Sequence, residues 1–118
     1  VAVPAHPARL RERGYNQARE IARHAARRCG LPLLRRAVIR QRATPAQTAL
    51  DAATRRRNLR GAFAVPLAAR KRIAGRCLAI IDDVMTTGST VDELAGTLKQ
   101  AGAERIEIWV VARAPHRE

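Results

Sequence analysis

Aromatic residues and cysteines are scarce in this sequence, which holds one Phe, one Tyr, one Trp and two Cys among 118 residues. A core must therefore come mainly from Ala, Leu, Ile and Val, within an apolar fraction of 47%. Cys29 and Cys77 are far apart, with no Cys-x-x-Cys spacing or group of histidines beside them. This excludes a zinc site of the usual spacing and argues against a disulfide framework, so we expect half-buried thiols in a reducing compartment.

Long apolar runs are also absent. No stretch approaches the roughly 18 apolar residues of a membrane-spanning helix, so we expect no insertion into a membrane. Shorter runs at 77–81 and 108–112 nevertheless need burial, which argues against a disordered chain. With no recognisable signal peptide, we expect a cytoplasmic protein. Because the sequence does not begin with Met, we also expect a truncated N-terminus.

Acidic residues are rare in the first two thirds of the chain. Residues 1–76 hold 19 Lys or Arg and three acids, whereas residues 77–118 hold four and seven, and the net charge is +13. This asymmetry predicts an anionic partner that binds mainly to the first part.

Helical spacing marks two segments of the basic part. Residues 17–29 carry apolar side chains at helical intervals, between Asn16 as N-cap and Gly30 as the stop. A capping box at 44–47, with proline at the first helical position, predicts a second helix that ends near Arg57.

Apolar segments that predict strands alternate with these helices. Strands that are apolar on both faces are typical of an α/β domain with a mostly parallel sheet. We expect Trp109, in the middle of the last strand, to belong to the core. The predicted strands are 1–4, 37–39, 62–65, 77–81 and 106–112, with a third helix over 90–100, a polar connection over 66–75 and a loop over 82–89.

The segment 78–90 carries the chemistry. An apolar strand leads into Asp82 and Asp83, then into a hydroxyl-rich turn before a helix. Such turns at the ends of parallel strands offer backbone N–H groups, hydroxyls and the positive end of a helix dipole to a phosphate. Carboxylates instead accept hydrogen bonds from sugar hydroxyls. The combination predicts that this segment binds a phosphorylated sugar. The alternative is a surface turn in which Asp and Thr only cap backbone groups.

Residues 80–90 resemble the phosphoribosyl pyrophosphate (PRPP) signature of type I phosphoribosyltransferases. The resemblance implies that Asp82 and Asp83 bind the ribose 2′- and 3′-hydroxyls as the catalytic acids. It implies that the 5′-phosphate binds to Thr86, Thr87, Gly88, Ser89 and Thr90. Ser89 stands where Gly is common. The resemblance also implies that Mg²⁺ acts through the substrate near the two acids, with no direct ligand from the protein.

The flanking segments are similar to the ComF family, phosphoribosyltransferase-like proteins linked to bacterial competence and DNA uptake. The similarity is carried by Val3-Pro4-Ala5-His6, by residues 9–18 (RLRERGYNQA) and by residues 40–63. It implies one type I phosphoribosyltransferase-like domain over 1–118, with a mobile hood at about 40–63. The family's N-terminal zinc-binding segment is absent from the sequence, which is why we expect truncation.

The same resemblance implies a pyrophosphate side formed by Arg13, Gly14, Asn16 and Arg56. An ordinary loop with a solvated Arg is the alternative for Arg13, and N-capping alone explains Asn16. A solvated helix face explains Arg55, Arg57 and Arg60.

Two functions follow as expectations. The first is transfer of a phosphoribosyl group from PRPP to an acceptor, for which no residue is recognisable as a general base. The second is a competence accessory role in which the basic part binds single-stranded DNA or a protein and PRPP is only a sensed ligand. The scarcity of aromatic residues argues against a run of base-stacking positions.

Overall fold

A parallel sheet centred on one strand organises the fold in the computed structural model, which describes residues 1–5, 11, 14, 16–42, 52–85 and 87–114. The central strand β3 (Cys77–Met85) pairs in parallel with β4 (Arg105–Arg113). On its other edge, the N–H of Val3 donates to the Ile81 carbonyl at 2.9 Å, and the N–H of Ile81 donates to the Val1 carbonyl at 2.7 Å. Pairing on both edges is typical of a buried strand such as the apolar run 77–81 of β3, and it confirms the predicted parallel sheet.

Helices cover the two faces of β3. Helix α1 (Gln17–Cys29) packs on one face, and Ala22 at its centre is buried. Asn16 caps α1 and Gly30 ends it in the left-handed conformation with φ of 68°, both as predicted. Helix α4 (Ser89–Gln100) packs on the other face, where its fully buried leucines contact the even-numbered side chains of β3.

A short antiparallel ribbon supports the predicted hood. Strand β1 (Ile39–Arg40) pairs with β2 (Phe63–Ala64). β2 lies within the predicted strand 62–65, whereas β1 overlaps the predicted strand 37–39 only at Ile39. Helix α2 (Ala52–Leu59) lies between them in sequence and runs two residues beyond the predicted end, while the capping box at 44–47 lies outside the described residues. The N–H of Gly61 donates to Glu93 Oε1 at 3.2 Å, which ties the ribbon to α4.

Three sequence predictions about burial and conformation were wrong. Residues 66–75 form a 3₁₀ turn (Leu67–Ala69) and a short helix α3 (Arg70–Ile73), because Ile73 is completely buried and anchors them. Cys29 and Cys77 are exposed, since each lies at the end of its element rather than within it. Trp109 is 38% exposed, because α1 packs mainly on β3 on that face. Among the described helices none is long and apolar enough to cross a membrane.

Candidate active site

Asp82 and Asp83 lie inside β3, and the prediction of a loop from residue 82 was wrong. Pairing with β4 continues past them, with Asp82 opposite Val110 and Met85 opposite Arg113. The change from apolar to charged residues therefore marks the solvated rim of the sheet and not the end of the strand. A strand fixes both carboxyl groups at the C-terminal edge of a parallel sheet, the usual position of ligand sites in such folds.

The two acids are held by the backbone of their own strand. Asp82 Oδ1 accepts a hydrogen bond from the N–H of Asp83 at 2.9 Å, and Asp83 Oδ1 accepts one from the N–H of Val84 at 2.8 Å. The pKa of Asp82 is raised to about 6, chiefly by burial of its carboxyl group. A side-chain hydrogen bond with Asp83 and the negative charge of Asp83 act in the same direction, while the Asp83 N–H and the positive charge of Arg40 oppose the rise. Asp82 therefore holds its proton more tightly than an isolated carboxyl group.

This pKa predicts that Asp82 lowers the stability of the folded chain at neutral pH. The folded state binds the proton more tightly than the unfolded chain, so stability falls as pH rises between 3.8 and about 6. Asp82→Asn should therefore raise the melting temperature at pH 7.5 by roughly 4 °C, allowing for solvent screening of this half-buried group, and change it little at pH 4. Thermal unfolding at both pH values measures this, with Glu104→Gln at an exposed site as the control. An equal shift at both pH values would contradict the assignment.

Arg40 is a site residue that the sequence analysis did not single out. Its guanidinium lies over the Phe63 ring, 5.4 Å from the centroid, and its positive charge lowers the pKa of Asp82. The signal that could have found it is its place two residues after Val38, a buried apolar residue just before β1, since strand spacing puts residues i and i+2 on one face. A basic residue at an inward-facing position of a strand indicates an acidic or anionic neighbour. Arg40 therefore joins the ribbon to the acid pair.

The hydroxyl-rich turn follows β3 and begins α4. Thr87 Oγ1 and Ser89 Oγ are 2.8 Å apart, and the N–H of Ser89 donates to Thr87 Oγ1 at 3.3 Å. Gly88 occupies the N-cap position in the left-handed conformation, with φ of 85°, and no described side chain caps the helix there. Apart from the Ser89 N–H, which donates to Thr87, the first N–H groups of α4 are donors of the kind that bind phosphate. Thr90 lies in the first turn of α4, and Thr86 lies outside the described residues.

The predicted pyrophosphate side is only partly brought together. Gly14 is exposed with φ of 78°, and Asn16 is committed to structure, since it caps α1 and its Nδ2 donates to the Val3 carbonyl at 3.1 Å. Arg56 lies on the exposed surface of α2, and no described contact joins it to the acids. Arg13 lies outside the part of the chain that the structure describes.

A cleft of about 780 Å³ opens beside the N-terminal residues 1–5. Gly14, Asn16 and Arg40 line it, whereas the acid pair and the turn after β3 do not. Arg40 therefore belongs to both regions, because it lines the cleft and its positive charge lowers the pKa of Asp82. A diphosphate bound between the two regions would meet this guanidinium.

Comparison with known proteins identifies the chain. The phosphoribosyl transferase domain family matches residues 10–118. The chain belongs to this family. Competence protein F of Haemophilus influenzae is 38% identical over 114 residues, which cover 97% of this chain and 49% of that protein. DNA utilization protein YhgH of Escherichia coli K12 is 39% identical over 113 residues, 96% of this chain and 48% of that protein.

This phosphoribosyl transferase domain spans about half the length of the curated relatives it matches. No solved structure matches it significantly. The resemblance to competence-associated phosphoribosyltransferases, inferred from residues 80–90 and their flanks, is confirmed, as is the α/β fold with its parallel sheet.

Proposed function

We propose that this domain binds PRPP and transfers its phosphoribosyl group to an acceptor. The bond between ribose C1 and the pyrophosphate oxygen breaks, pyrophosphate leaves with the bonding electrons, and C1 bonds to the acceptor's nucleophile. The observation that carries this proposal is the run of β3 through two adjacent acids into a hydroxyl-lined turn at the start of α4. In that arrangement the two acids accept hydrogen bonds from a diol. The turn that follows them in the chain donates hydrogen bonds to a phosphate.

The acid pair holds the ribose in this proposal. Asp82 and Asp83 each use one oxygen to accept a backbone N–H, which orients the carboxyl groups for the 2′- and 3′-hydroxyls. Loss of pyrophosphate places positive charge on the ring, and two carboxylates beside the ring stabilise that charge because they are already in place. The domain thus works mainly by positioning the sugar and by electrostatics.

The phosphate and the leaving group bind on either side of the sugar. The hydroxyl-rich turn, which comprises Thr86, Thr87, Gly88, Ser89 and Thr90, receives the 5′-phosphate. Arg40 meets the pyrophosphate, and Arg13, Gly14, Asn16 and Arg56 assist there as the family resemblance implies. Arg40 has the most support among these residues, because its positive charge lowers the pKa of Asp82, the acid that would hold the ribose.

Mg²⁺ is part of the proposal, and the donor chemistry of the site fits it. Asp82 and Asp83 place negative charge beside the site, which favours a divalent cation nearby. Substrate oxygens and water would supply the hard oxygen ligands that Mg²⁺ prefers, with no direct ligand from the protein. When bound, the ion neutralises charge on the pyrophosphate. We place the activity in the cytoplasm, in keeping with two exposed and unpaired cysteines.

Titration calorimetry with PRPP and Mg²⁺ tests the proposal directly. We expect saturable binding that weakens when Mg²⁺ is omitted and when ribose 5-phosphate replaces PRPP. A screen of acceptors for pyrophosphate release then follows on the same protein. Absence of PRPP binding at millimolar concentrations, by a protein shown to be folded, would remove the proposed function.

Nucleic-acid binding is a second candidate, favoured by exposed basic residues on and after α2. Arg57, Arg60 and Arg70 are exposed, and the ion pairs described, Arg23–Glu20 and Arg105–Glu107, involve none of them. The names of the relatives, competence protein and DNA utilization protein, agree with such a role. Because Phe63 is buried, base stacking on it is excluded, and binding would rest on charge.

Salt dependence tests this second candidate. If the basic part binds single-stranded DNA, log affinity should fall with log salt concentration by about 0.7 per neutralised phosphate. Replacing Arg55, Arg57 and Arg60 by Gln should then flatten the slope by about two and leave PRPP binding almost unchanged. Fluorescence anisotropy at several salt concentrations measures the slope. A wild-type protein that binds no oligonucleotide even at low salt leaves only the transferase.

A further inference from the structure

Strand β4 has the sequence of a buried strand in the position of an edge strand. Between its terminal arginines it reads Ile-Glu-Ile-Trp-Val-Val-Ala, but none of its nine residues is buried. Ile108 is 39%, Trp109 38% and Val111 69% exposed. One edge of β4 pairs with β3, and the other edge has no partner in the part of the chain that the structure describes.

Two exposed residues of β4, Trp109 and Val111, lie on the same face of the sheet. Helix α1 packs mainly on β3 on that face, and Trp109 remains 38% and Val111 69% exposed. The strand contains no Pro or Lys, the residues that usually keep an edge strand from pairing. An unpaired nine-residue edge with six apolar residues is a template for another strand.

The sequence of β4 is complementary to itself in one antiparallel register. When a two-fold axis passes through Val110, Glu107 lies opposite Arg113 of the partner subunit, and Trp109 lies opposite Val111 of the partner subunit. Each pairing occurs twice because of the symmetry. On the other face, Ile108 lies opposite Ala112 of the partner subunit, so every facing pair there is apolar.

Neighbouring registers lack this match. An axis through Trp109 places Arg105 opposite Arg113 of the partner subunit, two like charges that destabilise a directly facing pair. An axis through Val111 places Trp109 opposite Arg113 of the partner subunit and separates Glu107 from any arginine of the partner's β4. No ion pair is described for Arg113 within the chain, whereas Glu107 lies 3.9 Å from Arg105 in an exposed contact.

The geometry points to a homodimer in which β4 pairs antiparallel with β4 of a second copy about a two-fold axis through Val110. The two sheets then form one continuous sheet with β4 at its centre, which explains the apolar sequence of β4. The acid pairs lie at opposite edges of that sheet and stay open, because the two copies run in opposite directions. The inference is therefore independent of the proposed transferase activity.

Engineered cysteines test the register. In a background with Cys29→Ser and Cys77→Ser, Val110→Cys should form a covalent dimer under mild oxidation, since facing Cα atoms are about 4.5–5.5 Å apart. Glu107→Cys alone should not, because the two copies of that residue would be about 20 Å apart. A mixture of Glu107→Cys and Arg113→Cys proteins should give the mixed dimer.

Charge exchange tests the pairing without cysteine chemistry. Glu107→Arg or Arg113→Glu alone places like charges at two positions and should weaken dimerisation by about tenfold, measured by analytical ultracentrifugation. The double variant restores both pairs and should dimerise within about threefold of the wild type. Val111→Lys should also weaken the dimer, whereas Leu67→Lys, at an exposed site outside β4, should not.

Three outcomes overturn this inference: a chain that is monomeric at all concentrations, a dimer unaffected by Val111→Lys, or a dimer in which Val110→Cys does not cross-link. Thermal unfolding of the same variants checks that each is folded. PRPP titration is then a separate measurement, so failure of the dimer and failure of the proposed function can be told apart.

Discussion

Replacing Asp82 and Asp83 together by Asn should weaken PRPP binding by at least about 30-fold, since each lost charge-assisted hydrogen bond is worth roughly 1–3 kcal/mol. The substitution removes the negative charges that accept the ribose hydroxyls and stabilise positive charge on the ring. It keeps an oxygen at each position, so the N–H groups of Asp83 and Val84 retain their acceptors. The fold should therefore survive, and calorimetry measures binding directly.

The matched control for this double variant is Glu104→Gln with Glu107→Gln, which removes two exposed carboxylates outside the site. The control should bind PRPP like the wild type at the same ionic strength. Wild-type affinity should also fall as pH drops below about 6, because Asp82 then gains a proton. Unchanged affinity in the double Asp variant would rule out the ribose assignment, whatever the effect on stability.

Local signals predicted the elements that frame the site. Asn16 and Gly30 bound α1 because a cap and a stop act on backbone groups within a turn of themselves. The start of α4 followed from the small residues after β3 for the same reason. These predictions needed no knowledge of distant parts of the chain, and the structure confirms them.

Features that depend on long-range pairing were not predictable in this way. The extension of β3 through Met85 depends on pairing with β4. In that pairing Met85 lies opposite Arg113, which is 28 positions further along the chain. The effect of Arg40 on Asp82 depends on a ribbon whose two strands are more than 20 residues apart. The exposure of Trp109 depends on which elements cover β4. In each case the sequence gives the side chain at the position, but it does not give the distant residues that pair with or cover it.

Arg40 connects the two halves of the proposed site. Its guanidinium is held over Phe63, a buried residue of β2, so its position follows that of the ribbon. The ribbon in turn is tied to α4 through Gly61 and Glu93. Movement of the predicted hood at 40–63 would therefore carry a positive charge toward or away from the acid pair. Binding of a diphosphate would favour the position in which that charge is close.

Replacing Gly88 by Val should abolish binding of ribose 5-phosphate. Gly88 has φ of 85°, a conformation that a β-branched residue adopts only at a cost, and a Cβ there would meet only Met85 Sδ at 3.7 Å. Backbone conformation and not space inside the protein is therefore the constraint. Valine would shift the turn out of the left-handed region and place methyl groups where the phosphate approaches the N–H groups of α4. A thermal-shift titration with ribose 5-phosphate on both proteins measures the effect.

Gly30→Val is the matched control, because Gly30 has a similar φ of 68° and ends α1 instead of beginning α4. It imposes a comparable backbone strain outside the phosphate turn, so it should lower the melting temperature and keep the shift caused by ribose 5-phosphate. Gly88→Ala should fall between the wild type and Gly88→Val, since it adds the strain without the branched methyl groups. Equal stabilisation of the wild type and Gly88→Val by ribose 5-phosphate would show that the phosphate binds elsewhere. If Gly30→Val also lost this stabilisation, the loss in Gly88→Val would be due to general destabilisation of the fold.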